Sequence, residues 1–127
     1  MSNINETLIK EGANLLKVLD KSVIIPVAFF WFYLPENESW RLVVASEYFD
    51  KHIPAENYKK LLEVCGNEVS FKNIGISNIS LIPTSNMLVH LLGTAIKTNK
   101  DSTAGIRFTK NVINNIFVED AYIYRLS

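Results

Sequence analysis

The chain has 127 residues, 48% of them apolar and 20% charged, with Lys plus Arg and Asp plus Glu balanced at 13 each. That length suffices for a core needing no disulfide or metal staple, and the composition excludes a disordered chain. Zero net charge removes the field that gathers a phosphate backbone from solution, so nucleic-acid binding is not expected. It also weakens the self-repulsion that keeps proteins monomeric.

Cys65 is the sole cysteine, which rules out an intramolecular disulfide and a Cys-rich zinc site and suits a reducing cytosol. Met1–Glu6 lacks the basic start and apolar run of a signal peptide. The longest apolar run, Val23–Leu34, is interrupted by Pro26 and falls short of the roughly 20 residues that span a bilayer. The expectation is one cytoplasmic domain over residues 1–127, with no membrane segment.

In chain order, Asn3 followed by Glu6 resembles a capping box and opens a helix over about residues 4–20. At about 100° per residue, Ile4, Leu8, Leu15, Val18 and Leu19 fall on one arc, widened by Ile9, Gly12 and Leu16, with Glu6, Lys10, Asn14 and Lys17 opposite. A strand begins at about Val27, since Pro26 cannot donate to a ladder. Val27–Leu34 has five aromatics and no charge, so both of its faces need cover. Pro35–Ser39 turns the chain into a second strand, Trp40–Ser46, antiparallel to the first because the connection is short.

Ser46–His52 reads as irregular. Pro54 starts a second helix ending at Cys65, with Tyr58, Leu61, Leu62 and Cys65 on one face and Gly66-Asn67 as the stop. After a loop-like stretch, Ile79–Ile82 is a third strand. Thr84 or Ser85 then caps a third helix whose Leu88, Leu91, Leu92, Ala95 and Ile96 share a face. Lys97–Ala104 is a polar connection to a fourth strand beginning at Gly105-Ile106-Arg107-Phe108. Asn114-Asn115 separates it from a long final strand, Ile116–Leu126.

The order α-β-β-α-β-α-β-β lacks regular βαβ alternation. It predicts an α+β fold with a mainly antiparallel sheet of about five strands and three helices. Helices on one face, with an oligomer partner or the remaining helix on the other, would cover the first strand.

No phosphate loop, nucleophile elbow or paired-histidine motif is present, and no metal ligand set or cofactor is expected. His90 projects away from the apolar face of its helix. Asp50 beside His52 would orient an imidazole for acid-base work, although a local turn interaction is the plainer reading. Cys65 sits on an apolar helix face near the negative end of the dipole, where a thiolate is disfavoured. Trp40 and Arg41 alternate to opposite faces; with Trp31 and Tyr33 they are candidate interaction residues.

Glu119-Asp120 interrupts an otherwise apolar strand. Alternation sends Glu119 to the side of Phe117, Ala121, Ile123 and Arg125, and Asp120 to the side of Val118, Tyr122 and Tyr124. Two acids on opposite faces cannot share one metal without a bulge. An ion pair with Arg107 or Arg125 is the plain reading. A catalytic carboxylate working with Arg107, Arg125 and Tyr122 is the sharper one.

The segments Phe30-Trp31-Phe32, Trp40–Ser46, Ile106-Arg107-Phe108 and Glu119–Leu126 resemble a group of small uncharacterised bacterial proteins, and the likeness covers most of the chain. It implies a bacterial, stand-alone small protein and carries no activity with it. Two functions therefore stand side by side. One is a non-enzymatic interaction module that self-associates or serves as a small subunit of a larger assembly. The alternative is a hydrolase or nuclease using Glu119 or Asp120 with nearby Arg and Tyr.

Overall fold

A computed structural model describes residues 4–69 and 71–127. It is an α+β fold containing α1 (Glu6–Asp20), β1 (Ala28–Leu34), β2 (Ser39–Ala45), α2 (Pro54–Cys65), β3 (Ile79–Ile82), α3 (Met87–Gly93), β4 (Ile106–Ile113) and β5 (Ile116–Leu126). One sheet holds the strands in the order β3-β2-β1-β5-β4, antiparallel except for the β2–β3 pair. Helix α2 lies in the connection between the two parallel strands, the kind of crossover that such a pair requires.

The uncharged strand lies at the centre. Phe29 and Trp31 pack into a cluster with Leu15, Leu16 and Leu19 of α1 and Leu61 and Cys65 of α2. Ala28 and Phe30 join a second cluster with Leu92 and its partly buried neighbours Leu88, Val89 and Leu91 of α3. Two helices thus cover one face and the remaining helix covers part of the other.

The capping role expected of Asn3 lies outside the described residues; Asn5 caps α1, its Oδ1 accepting from the Leu8 amide at 2.9 Å. In α2 the buried side chains are Asn57, Leu61 and Cys65, while Leu62 is exposed. The apolar stripe runs one position to the side of the expected one because Val64 also packs inward. Helix α3 is shorter than its sequence pattern and is capped by Asn86, which accepts from the Leu88 amide. Thr84 is not a cap: its amide and hydroxyl both donate to Asp50. Ala95 and Ile96 fall beyond the helix end, Ala95 exposed and Ile96 still against the core.

Two irregularities overturn the face assignment along β5. Phe29 pairs with Arg125 but Phe30 pairs with Ile123, so Tyr124 is an extra residue in a bulge. Tyr124 and Arg125 consequently both face α1, and Arg125 leaves the side of Ala121 and Ile123 to which strict alternation sends it. The second irregularity is at Lys110, which has a φ of 46° and makes no pair in the β4–β5 ladder. Ile106, Phe108, Ala121 and Ile123 belong to the α3-side cluster, and so do Ile113 and Val118, of opposite parity. Both strands exchange faces at this step while their register is kept, so Val118 does not lie with Asp120 and Tyr122.

The polar connection before β4 also has structural work. The Thr98 amide donates to the Leu126 carbonyl at 2.7 Å, and the Ser102 hydroxyl to the Tyr124 carbonyl at 3.1 Å. These contacts occupy the end of β5 beyond the reach of β4.

Helix α1 approaches the sheet closely at Gly12. A Cβ there would lie 2.5 Å from Tyr124 Oη and 3.0 Å from Trp31 Nε1. That hydroxyl is fixed, donating to the Ile9 carbonyl at 2.6 Å and accepting from the Trp31 indole at 3.2 Å. Gly12→Ala should therefore destabilise the protein by about 1–3 kcal/mol, outweighing the roughly 1 kcal/mol gain in helix propensity. In urea unfolding, adding Tyr124→Phe should cost less in the Gly12→Ala background than in wild type; additive losses would show that the close approach is not the cause.

Candidate functional site

Among the acidic and basic candidates, the sheet brings Arg107, Asp120 and Tyr122 together on the face that carries Trp31. Arg107 and Tyr122 are direct cross-strand neighbours, and so are Thr109 and Asp120. Arg107 Nε donates to Asp120 Oδ1 and Nη2 to Oδ2, each at 2.6 Å, a bidentate pair. Thr109 Oγ1 adds a bond to Oδ1 at 3.3 Å. The Asp120 side chain is 1% exposed and that of Arg107 40%. The bonds to Asp120 raise the guanidinium pKa further, against the opposing effect of burial.

Aromatic rings frame this pair. The guanidinium carbon lies 5.9 Å from the centre of the Trp40 ring, Trp40 packs at 5.3 Å against its cross-strand neighbour Tyr33, and Tyr122 contacts Tyr124 at 5.3 Å. Tyr122 Oη sits where a side chain at Gly105 would be, so any Cβ there would displace the phenol, and Gly105 has a φ of 74°. Both favour glycine there, the backbone conformation most directly. Trp40 Nε1 is buried without an acceptor among the described residues.

The other candidates lie elsewhere. Arg125 is fully buried, with Nη1 and Nη2 donating to the two carboxylate oxygens of Asp20 at 2.7 and 2.9 Å. It also donates to the carbonyls of Pro26 and Ser102. It is a tie between the end of α1, the approach to β1 and the connection before β4. Arg41 lies on the opposite face from Trp40 and donates from Nε to Ser80 Oγ at 2.8 Å. Trp31 and Tyr33 are buried, so neither offers a free surface. Glu119 is half-buried at the step where the strands exchange faces.

Asp50 and His52 do not pair. Asp50 accepts from Thr84, while His52 stacks on Tyr48 at 4.1 Å and its Nδ1 donates to the Tyr48 carbonyl at 2.7 Å. His90 is exposed on α3. Burial, with a smaller contribution from Glu68, pushes the Cys65 thiol up to about 11, so it is a poor nucleophile at neutral pH. Among the described residues no cluster of three or more His, Cys, Asp or Glu could hold a metal ion, and no helix is long and apolar enough to cross a membrane.

A carboxylate acting as general base needs an oxygen lone pair aimed at substrate. Both Asp120 oxygens are committed to Arg107, and the side chain is sealed from solvent. The group positions β4 against β5 and holds Arg107 over Trp40.

Sequence reasoning placed the Asn114-Asn115 break but missed the exposed apolar surface around it. β1 pairs with β5 only as far as Ala121, so the outer parts of β4 and β5 project past it as a two-stranded ribbon. Asn114 and Asn115 both have positive φ, 48° and 67°, as a tight two-residue hairpin turn requires. On this ribbon Val112, Ile116 and Phe117 are 61%, 54% and 55% exposed. The available signal was an Asn-Asn turn flanked on both sides by apolar residues with no polar alternation. No protein-family model, curated protein or solved structure matches the chain.

Removing the two halves of the Arg107–Asp120 pair should have unequal effects. Arg107→Ala strands a sealed carboxylate and should cost about 3–5 kcal/mol, whereas Asp120→Ala leaves a guanidinium that can rehydrate and should cost about 1–3 kcal/mol. Urea titrations giving equal or reversed losses would contradict this. The Cys65 thiol, whose ordinary value is 9.0, is raised to about 11 in the fold, so the folded state holds its proton more tightly. Its contribution to stability is complete below pH 9 and is lost as the pH rises towards about 11. The alkaline decline in stability should be shallower in Cys65→Ala, as read from unfolding midpoints across that window.

Proposed function

We propose that this protein is a non-enzymatic interaction module of the bacterial cytoplasm, which self-associates or serves as a small subunit of a larger assembly. The observation that supports it is the projecting β4–β5 ribbon. A two-stranded ribbon is marginal alone, and this one presents Val112, Ile116 and Phe117 to water at more than half exposure each. Its other face is held by the fold, because Ile113 and Val118 are buried in the α3-side core. Val112 and Phe117 are cross-strand neighbours, so they form one apolar spot rather than scattered residues.

The free edge of β4 is not the expected contact. Lys110 interrupts it in a left-handed conformation, and an edge lysine with a kink discourages strand addition. The apolar side chains of the tip remain. Zero net charge leaves no long-range repulsion against a second copy. The enzyme alternative finds less support, because Asp120 is sealed from solvent in its pair with Arg107 and Arg125 is committed to Asp20.

Sedimentation velocity at concentrations on the order of tens of micromolar tests the reading. The wild type should sediment as an oligomer or co-sediment with its partner subunit, and Phe117→Asp should abolish that association without lowering the unfolding midpoint. A monomer in both forms, with no subunit recovered from the native cell, would remove the proposal.

A further inference from the structure

The ribbon tip exposes apolar side chains on both of its faces. Val112 and Phe117 are partners across the ladder, and so are Ile113 and Ile116 one position nearer the turn. Successive residues of a strand point to opposite faces, so Ile116 emerges on the other side from Phe117. Two tips meeting face to face would cover one side and leave the other wet. The three exposed side chains supply roughly 300 Å² of surface, against roughly 450 Å² of apolar area on each side of a stable interface. The tip therefore needs a recess that surrounds it, with further apolar area beside it.

A recess of this kind lies at the far end of β1. In the connection from α1, Val23 and Ile25 are 63% and 56% exposed. Ile25 has a φ of 28° and precedes a proline, a backbone state that a β-branched residue avoids. The fold imposes it: the Ser46 hydroxyl donates to the Ile24 carbonyl, Arg125 Nη1 to the Pro26 carbonyl at 3.0 Å, and the Ile25 amide to the Leu19 carbonyl at 3.3 Å. A constrained backbone thus holds an apolar side chain out to water. Val23, Ile25, Val27 and Tyr48 wall a concavity of about 260 Å³. A cavity of roughly 150 Å³ already admits benzene, so a phenyl ring fits here. Glu47 is the one charged side chain on its walls, and Lys110 the one charged side chain between Thr109 and Val118 of the ribbon.

We propose that the occupant of this recess is the ribbon tip of a second copy of the chain, and that two copies exchange tips about a two-fold axis. The Phe117 ring enters between Val23, Ile25, Val27 and Tyr48, and the charge of Lys110 complements that of Glu47. The 11 residues of β5 separate tip from recess by roughly 30 Å, so no chain fills its own recess. Two antiparallel copies make both contacts at once, and tip plus recess bring the exposed apolar area of each copy to roughly 500 Å², enough for a stable pair. The inference rests on the self-association proposed above and adds its partner and receiving surface.

Sedimentation velocity of the full chain at about 50 μM tests it with two variants of opposite charge. The wild type should sediment as a dimer. Phe117→Lys and Ile25→Asp should each weaken self-association by at least about a hundredfold. Their equimolar mixture should restore a dimer with one chain of each, because that pair holds one native contact and one contact between the introduced opposite charges. Val23→Asp, on the same wall, takes the place of Ile25→Asp if the latter lowers the unfolding midpoint. Wild-type association of the recess variant, a mixture as monomeric as its components, or species growing beyond a dimer with concentration would overturn the exchange and leave self-association standing. A monomeric wild type would remove both.

Discussion

The segment Ala28–Leu34 has no charged residue and no wet face, and the architecture follows from keeping it dry on both sides. A strand at the centre of five has neighbours for its backbone groups on either edge, which here are β2 and β5. The side chains need layers above and below, supplied by α1 and α2 on one face and the much shorter α3 on the other. Because α3 is only seven residues long, the second layer is thin, and Phe32 and Phe108 stay partly exposed at its margin.

The bulge at Tyr124 solves a specific difficulty in this arrangement. In a regular strand Tyr124 and Arg125 would point to opposite faces, and the guanidinium would enter the apolar layer under α3. The extra residue places both on the α1 side, where Tyr124 bonds Trp31 and the Ile9 carbonyl and Arg125 reaches Asp20. A buried arginine is tolerated only when its donors are matched, and here the carboxylate and two backbone carbonyls supply the acceptors. The cost of burying the charge is offset by joining three segments distant in sequence. The same burial pushes the Tyr124 phenol well above its ordinary value.

At the other end of β5 the constraint relaxes. Past Ala121 the hairpin makes no ladder pairs with β1, and the kink at Lys110 turns the ribbon so that Ile113 and Val118 follow the α3-side core. Val112, Ile116 and Phe117 are left outside. Arg107, Asp120 and Trp40 stand at the root of this ribbon, and their bonds fix its departure from the sheet. The acidic interruption in β5 is therefore explained by anchoring.

Local chemistry made most of the elements legible in the sequence. The period of α1, the proline opening α2, the glycine closing it and the Asn-Asn turn each act within a few residues, and each element formed where its pattern lies. The central place of the uncharged strand was legible for the same reason, as was the inert burial of Cys65. What only the tertiary structure decided was pairing: β3 running parallel to β2, β5 lying beside β1, and Arg125 meeting Asp20 rather than an acid of its own strand. The sequence determined which residues must be covered and in what local geometry. Packing between distant elements decided which face each residue of β5 shows, because a single bulged residue reverses strand alternation and leaves no local signature.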